Sequence, residues 1–259
     1  MSLRICSRGT RGSIARSAWR WARARRPKPN DTGEERRCGA VLAGGGKVSL
    51  LVHLIGPGGA GKTTVGAIVA EHLNWRFVDV DRCFLAEHGN IADFIRERGY
   101  AEYASHNVRL YEQLKRDLSA PAICAMSSGF MLYPAGVAPA YLALRRDIEE
   151  DGLTALLLPS FDLERCAKTV VARQMSRPYL NANEADEMRK IRDRFPAFMR
   201  LNCRRFSSDG APDRVAGDIE RFIVASMPSS EHDPCPVAGG GPTHPCGTRG
   251  AGNREHDIQ

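Results

Sequence analysis

Nothing in this 259-residue chain approaches the roughly 18–20 consecutive apolar residues of a membrane-crossing helix. The longest apolar stretch, Leu153 to Pro159, is strand-sized, and a helical membrane protein is excluded. The eight cysteines include no C-x-x-C pair, so neither a zinc site nor a disulfide framework is suggested. Free thiols in a reducing compartment are expected. The first 30 residues contain no acid. There is no N-K-x-D guanine signature, which argues against a GTPase, and no internal repeat.

The formal charge of +7 is unevenly spread. Residues 1–48 carry twelve Lys and Arg against Asp31, Glu34 and Glu35, whereas residues 49–226 carry 23 bases and 23 acids. The basic balance therefore belongs to the arm, and no nucleic-acid binding is expected of the folded part. The arm, Arg- and Gly-rich, reads as disordered. Its composition is shared by organelle transit peptides, solvated tails and sequence translated upstream of a true start. The cytoplasm is the expected compartment. Residues 227–259, rich in Pro, Gly, Ser and His, cannot bury enough apolar surface to offset chain entropy and also read as disordered.

Between these ends, short apolar stretches alternate with helical periodicity. Strands are predicted over 49–55, 77–80, 122–126, 154–158 and 205–208. Helices are predicted over 62–73, 91–98, 100–118, 139–150, 163–174, 184–201 and 212–225. Such alternation predicts an α/β fold with a parallel sheet covered on both faces.

Gly56-Pro-Gly-Gly-Ala-Gly-Lys62-Thr63 matches G-x-x-x-x-G-K-[ST], following one predicted strand and opening a helix. Glycines let backbone N–H groups turn inward around a phosphate, and the helix N-terminus adds partial positive charge. Gly58, Gly59, Ala60, Gly61, Lys62, Thr63 and Thr64 are therefore the candidate ATP-binding residues. Lys62 is expected to reach the phosphates and Thr63 to bind Mg²⁺. A magnesium-positioning acid is also needed. Asp79 and Asp81, in Phe77-Val-Asp-Val-Asp81, are the strand-end acids close to the loop. Read as a strand, period-two alternation sends both carboxylates to one side. One is then suited to hold Mg²⁺ through water and the other to bind a substrate hydroxyl and accept its proton. Asp81 as a cap for the following helix is the structural alternative.

Leu54 to Gly66 and Phe77 to Asp81, followed by Ile91-Ala-Asp93, Arg177-Pro-Tyr-Leu180 and Arg194-Phe-Pro-Ala-Phe198, resemble the shikimate kinase family over residues 50–225. The resemblance implies a P-loop fold of the nucleoside-monophosphate-kinase type: a five-stranded parallel sheet flanked by helices, with a lid. It implies ATP and Mg²⁺, a small anionic hydroxyl acceptor such as shikimate, a role in aromatic amino acid biosynthesis, and a monomer. It assigns catalysis to Lys62, Asp81 and Arg177, phosphate contacts to Arg173 and Arg177, magnesium to Thr63 and Asp79, and the acceptor to Asp81, Ser128, Gly129 and Arg194. For Arg194, a structural salt bridge is the alternative, with Glu187 able to pair with it or with Arg192. The chain departs from the family where Phe-Arg-x-x-Glu becomes Tyr103-Ala104-Ser105-His106-Asn107 and where Gly-Gly-Gly becomes Ser127-Ser128-Gly129. His106, Arg82 and Arg109 are candidates for a replacement charge. The donor half is thus intact and the acceptor half altered. Another alcohol or nucleoside as acceptor, or ATP binding without catalysis, are the competing readings.

Overall fold

The computed structural model describes residues 50–176 and 183–227. Arg177, and with it the Arg-Pro-Tyr-Leu motif, lies outside the described residues, as do both predicted terminal extensions.

The elements run β1 (Leu51–Ile55), α1 (Lys62–His72), β2 (Arg76–Asp79), α2 (Val80–His88), α3 (Ile91–Arg98), α4 (Tyr100–Asp117), β3 (Ala122–Ala125), α5 (Tyr141–Glu150), β4 (Ala155–Leu158), α6 (Leu163–Met175), α7 (Glu184–Arg200), β5 (Arg204–Ser207) and α8 (Pro212–Ser226). All five strands are parallel, in the order β2-β3-β1-β4-β5. The chain leaves β1 for one side of the sheet and later returns to the other side of it at β4. The carboxyl end of β1 is therefore a topological switch point, where open α/β sheets hold their ligands.

Alternation along the strands divides the core between the two faces. Val52 and Leu54 of β1, with Leu157 of β4, pack against Val65 and Val69 of α1 and Ile219 and Ile223 of α8. On the opposite face Ile55, Cys124, Leu156 and Leu158 meet α2 to α7 through residues such as Phe84, Tyr111, Tyr141, Val170 and Phe198. β1, β3 and β4 are buried almost throughout, which is why they read as plain apolar stretches. Cys83, Cys124, Cys166 and Cys203 are free thiols.

Two local readings are corrected. β2 ends at Asp79, and α2, for which no element is predicted, begins at the next residue. Asp79 is extended and caps α2, its Oδ1 accepting from the Arg82 N–H at 3.1 Å. The cap is therefore Asp79 and not Asp81. Asp81 sits in the first helical turn, so strand alternation does not set its direction.

Candidate active site

The loop after β1 is shaped by backbone that a side chain would not permit. Gly56 has φ +139°, and a Cβ there would stand 2.3 Å from the Leu157 carbonyl oxygen. Gly59 is left-handed at φ +77°, with a Cβ position 3.0 Å from the Val170 carbonyl oxygen. Gly61, at φ 90°, caps α1, whose helical bonding starts with Val65 N–H donating to Gly61 at 2.9 Å. Lys62 Nζ donates to the carbonyls of Gly56 at 2.8 Å and Pro57 at 2.9 Å, so its ammonium lies across the loop. Arg173 ties the loop to its surroundings, donating to Gly59 O at 3.2 Å and to Ser208 O at 2.9 Å. The side chain of Gln174 lies against Gly58, and its Oε1 is buried without a hydrogen-bond partner.

Beside this loop lies a cleft of about 380 Å³, lined by Gly59, Thr64, Arg173, Ser208, Gly210 and Pro212 among others. Ala60 is buried under the loop, while Thr64 is exposed at the cleft. The contribution of Ser208 to Pro212, the turn after β5, escapes sequence reasoning. No motif marks that turn, and only the β4–β5 pairing brings it to the loop.

The two aspartates face different partners. Thr63 Oγ1 donates to Asp79 Oδ2 at 2.6 Å. Ser127 Oγ donates to Asp81 Oδ1 at 2.6 Å, and Tyr103 Oη reaches the same oxygen at 3.5 Å. Burial raises the Asp81 carboxyl above its ordinary range; the Ser127 hydrogen bond and the Lys62 charge pull it back, and Asp79 adds a smaller raising effect.

Beside Asp81, α4 and the segment after β3 contribute uncharged side chains rich in hydroxyls. Asn107, fully buried, lies between the Tyr133 hydroxyl at 3.0 Å and Ser127 Oγ at 3.2 Å. The Tyr100 hydroxyl rests on Gly129, where a Cβ would meet it at 2.4 Å, and accepts from Arg194 Nη2 at 3.3 Å. Ser128 is half-buried beside them. Ala104 is fully buried in the core. Tyr100, Tyr103 and Tyr133 were not singled out as site residues from the sequence, and Ser127 and Asn107 only as departures. The i, i+4 spacing of Tyr103 and Asn107 on α4 was the available signal.

The candidate replacement charges lie elsewhere. Both ring nitrogens of His106 are engaged, with His88 at 3.2 Å and Glu102 at 3.0 Å. Arg82 and Arg109 are exposed. Glu187 pairs with Lys190 rather than with either arginine. Arg192 forms a two-point contact with Glu164 at 3.1 and 2.7 Å, which leaves Arg194 as the α7 arginine that reaches the Asp81 side.

The residues present fit a nucleotide phosphate and a magnesium ion. The glycine backbone forms a cradle that a Cβ would fill, with the α1 N-terminus and Lys62 at its base. Among the described residues no group of three or more His, Cys, Asp or Glu gathers as a metal cage. Thr63 and Asp79 instead offer two hard oxygen ligands. That suits Mg²⁺, which keeps waters and phosphate oxygens for its remaining positions.

A five-stranded parallel sheet with a Gly-rich phosphate loop at its switch point, and two aspartates beside it, defines a P-loop fold of the nucleoside-monophosphate-kinase type. The family model described as shikimate kinase matches residues 58–224, and the chain belongs to that family. It is 40% identical over 63 residues to the shikimate kinase of Persephonella marina, an alignment covering 24% of this chain and 38% of the relative. It is 30% identical over 133 residues to that of a Psychrobacter species, covering 50% of this chain and 66% of the relative. The first matches to curated relatives thus span less than half of those proteins. Among solved structures, the shikimate kinase from Acinetobacter baumannii in complex with shikimate superposes with a TM-score of 0.54 at 21% identity, over 69% of this chain and 95% of that one. The enzyme from Bacteroides thetaiotaomicron gives 0.52 at 22%, over 68% and 97%. No helix among the described residues is long and apolar enough to cross a membrane.

Proposed function

We propose that the chain is an ATP-dependent kinase that transfers the γ-phosphoryl group to a hydroxyl of a small metabolite, with shikimate the first acceptor to test. The observation that carries this reading is the placement of Asp79 against Thr63 of the phosphate loop and of Asp81 one helical step away. Donor and acceptor functions are thereby separated by two residues of chain.

Residues 49–226 form the catalytic domain in this reading. The loop from Gly58 to Thr64 wraps the phosphates, and Lys62 neutralises their charge. The cleft bordered by Arg173 and Pro212 takes the nucleotide base and ribose. Thr63 and Asp79 would hold a magnesium ion, Asp79 through water. When bound, that ion supplies Lewis-acid neutralisation of the phosphate oxygens. Asp81 accepts a hydrogen bond from the acceptor hydroxyl and takes its proton as the O–P bond forms. Arg194, with Ser128 and Gly129, lines the acceptor side, and its guanidinium fits an anionic group. Arg177 is assigned to the transferring phosphoryl group from the motif alone.

A second reading, the same reaction on a different hydroxy compound, is favoured by one observation. Ala104 brings no charge to the acceptor side, where the family has an arginine. Acceptor-dependent ADP release from Mg-ATP, for wild type and Asp81→Asn, tests both. Shikimate-dependent turnover lost in the variant supports the first. Nucleotide binding with turnover only on another hydroxy acid, sugar or nucleoside supports the second. Binding without any acceptor-dependent turnover refutes the kinase reading.

A further inference from the structure

Two departures from the family motifs, Ser127 for a glycine and Asn107 for a glutamate, touch each other and the same aspartate. We infer that Ser127 and Asn107 are positioning residues, and that a one-way hydrogen-bond chain from Tyr133 through Asn107 and Ser127 fixes the Asp81 carboxylate so that Oδ2 meets the acceptor hydroxyl. The inference rests on the assignment of Asp81 as the acceptor-binding group.

The direction of the chain follows from counting protons. Ser127 has one hydroxyl proton, and its 2.6 Å contact with the Asp81 carboxylate is the short, charge-assisted one that claims it. Ser127 Oγ is then an acceptor toward Asn107, 3.2 Å away. The structure places Asn107 Oδ1 toward Ser127 and Nδ2 toward Tyr133; the proton count requires the two amide ends exchanged, with the NH₂ toward Ser127. After that exchange the Asn107 carbonyl faces Tyr133, whose hydroxyl becomes the donor across the 3.0 Å contact. Every polar group in this buried line is then satisfied, and each proton points toward Asp81. With Asp81 ionised, as its role as proton acceptor requires, reversing the line would leave the carboxylate facing a lone pair.

The two described donors to Asp81, Ser127 and Tyr103, both end on Oδ1. Oδ2 carries no hydrogen bond to a described side chain and remains for the acceptor. Ser127 and Asn107 are nearly inaccessible, so the chain cannot exchange its partners for water without opening the core. Asp81 itself sits on the first turn of a short helix, and its direction depends on these contacts rather than on a strand. A glycine at 127 supplies no hydroxyl, and a glutamate at 107 would compete for the proton that Ser127 gives to Asp81. The two replacements therefore work only together.

The test uses the full chain with two readouts. The first needs no substrate: urea unfolding of wild type, Asp81→Ala, Ser127→Ala and the double variant. The stability losses are expected to be non-additive, the double variant losing less than the sum of the singles. The second is steady-state turnover with Mg-ATP and shikimate. Ser127→Ala is expected to lower kcat about tenfold with the KM for ATP unchanged, and Ser127→Thr to recover most of it. Asn107→Asp, which turns a carboxylate on Ser127, is expected to lower kcat at least as far. Additive unfolding energies, or unchanged kcat in Ser127→Ala, overturn the proposal. If wild type turns over no acceptor, the assignment of Asp81 fails, and the unfolding cycle still decides whether the chain of hydrogen bonds exists.

Discussion

His53 provides a test of the fold that is independent of catalysis. It lies in the middle of β1, buried, with Nε2 2.7 Å from the Tyr111 hydroxyl. Among the described residues Nδ1 has no hydrogen-bond partner, since Asp151 Oδ2 stands 3.6 Å away on a partly exposed side chain. Burial, with a smaller contribution from Lys115, pushes the imidazole from 6.5 down to about 3. In the unfolded chain the same group titrates near 6.5. Below that pH the unfolded state binds a proton that the folded state refuses, so stability falls as pH falls, through the window from 6.5 down to about 3. At about 1.4 kcal/mol per pH unit, two units of acidification from pH 6.5 cost about 3 kcal/mol. That is a large share of the roughly 5–15 kcal/mol that holds a typical domain together. The assay is urea unfolding at 25 °C at several pH values, for wild type and for His53→Phe/Tyr111→Phe. Removing both partners leaves no orphaned hydroxyl, so the double variant is expected to be comparably stable at pH 7.5 and to lose about one proton's worth of slope in acid. Parallel curves for the two proteins would refute the argument.

Further expectations follow from particular contacts. Gly56→Ala would force a Cβ to within 2.3 Å of the Leu157 carbonyl, so nucleotide affinity measured by calorimetry should be lost together with a clear drop in melting temperature. Gly129→Ala meets the Tyr100 hydroxyl at 2.4 Å, which a rotation of the tyrosine relieves; thermal stability should change little, while the KM for the acceptor rises severalfold. Arg194→Ala should raise that KM by about tenfold or more, whereas Arg192→Ala, which removes only an exposed pair with Glu164, should leave it unchanged. Ala104→Arg, which restores the family residue, should destabilise by several kcal/mol rather than improve turnover, because position 104 is fully enclosed and its neighbour Asn107 no longer offers a carboxylate.

The parts of this molecule legible in the sequence are those set by local chemistry. β1, β3 and β4 are enclosed on both faces and announce themselves as apolar stretches. The phosphate loop announces itself because its glycines answer to backbone geometry. α2 was missed because it begins without a connecting loop and buries only Val80 and Phe84, too few for a visible period. Its signal was Asp79 three residues before Arg82, a cap that also ends the strand. Strand alternation, the reason for expecting both carboxylates on one side, does not apply to Asp81, whose acceptor role comes from the resemblance; helix geometry is what brings it to Ser127. Asn107 was legible as a departure and nothing more. Its partners come from the segment after β3, and no spacing along α4 reveals that segment.

The same distinction accounts for which half of the site kept its family motif and which did not. The donor side is made of backbone. Its loop passes so close to β4 and α6 that Gly56 and Gly59 have no substitutes, and Lys62 and Thr63 are held by the first turn of α1. A single change there finds no compensation elsewhere. The acceptor side is made of side chains from α2, α4, α7 and the segment after β3, which meet only as hydroxyls, an amide and a guanidinium. A polar group lost from one element leaves a neighbour unsatisfied at a cost of about 1–3 kcal/mol, and a second change on another element can recover it. Here Ser127 and Asn107 contact each other, and Ala104 supplies no cation for a carboxylate at 107. On the proposed assignment, those changes preserve the carboxylate of Asp81, held by one oxygen to the protein and free at the other for the acceptor hydroxyl.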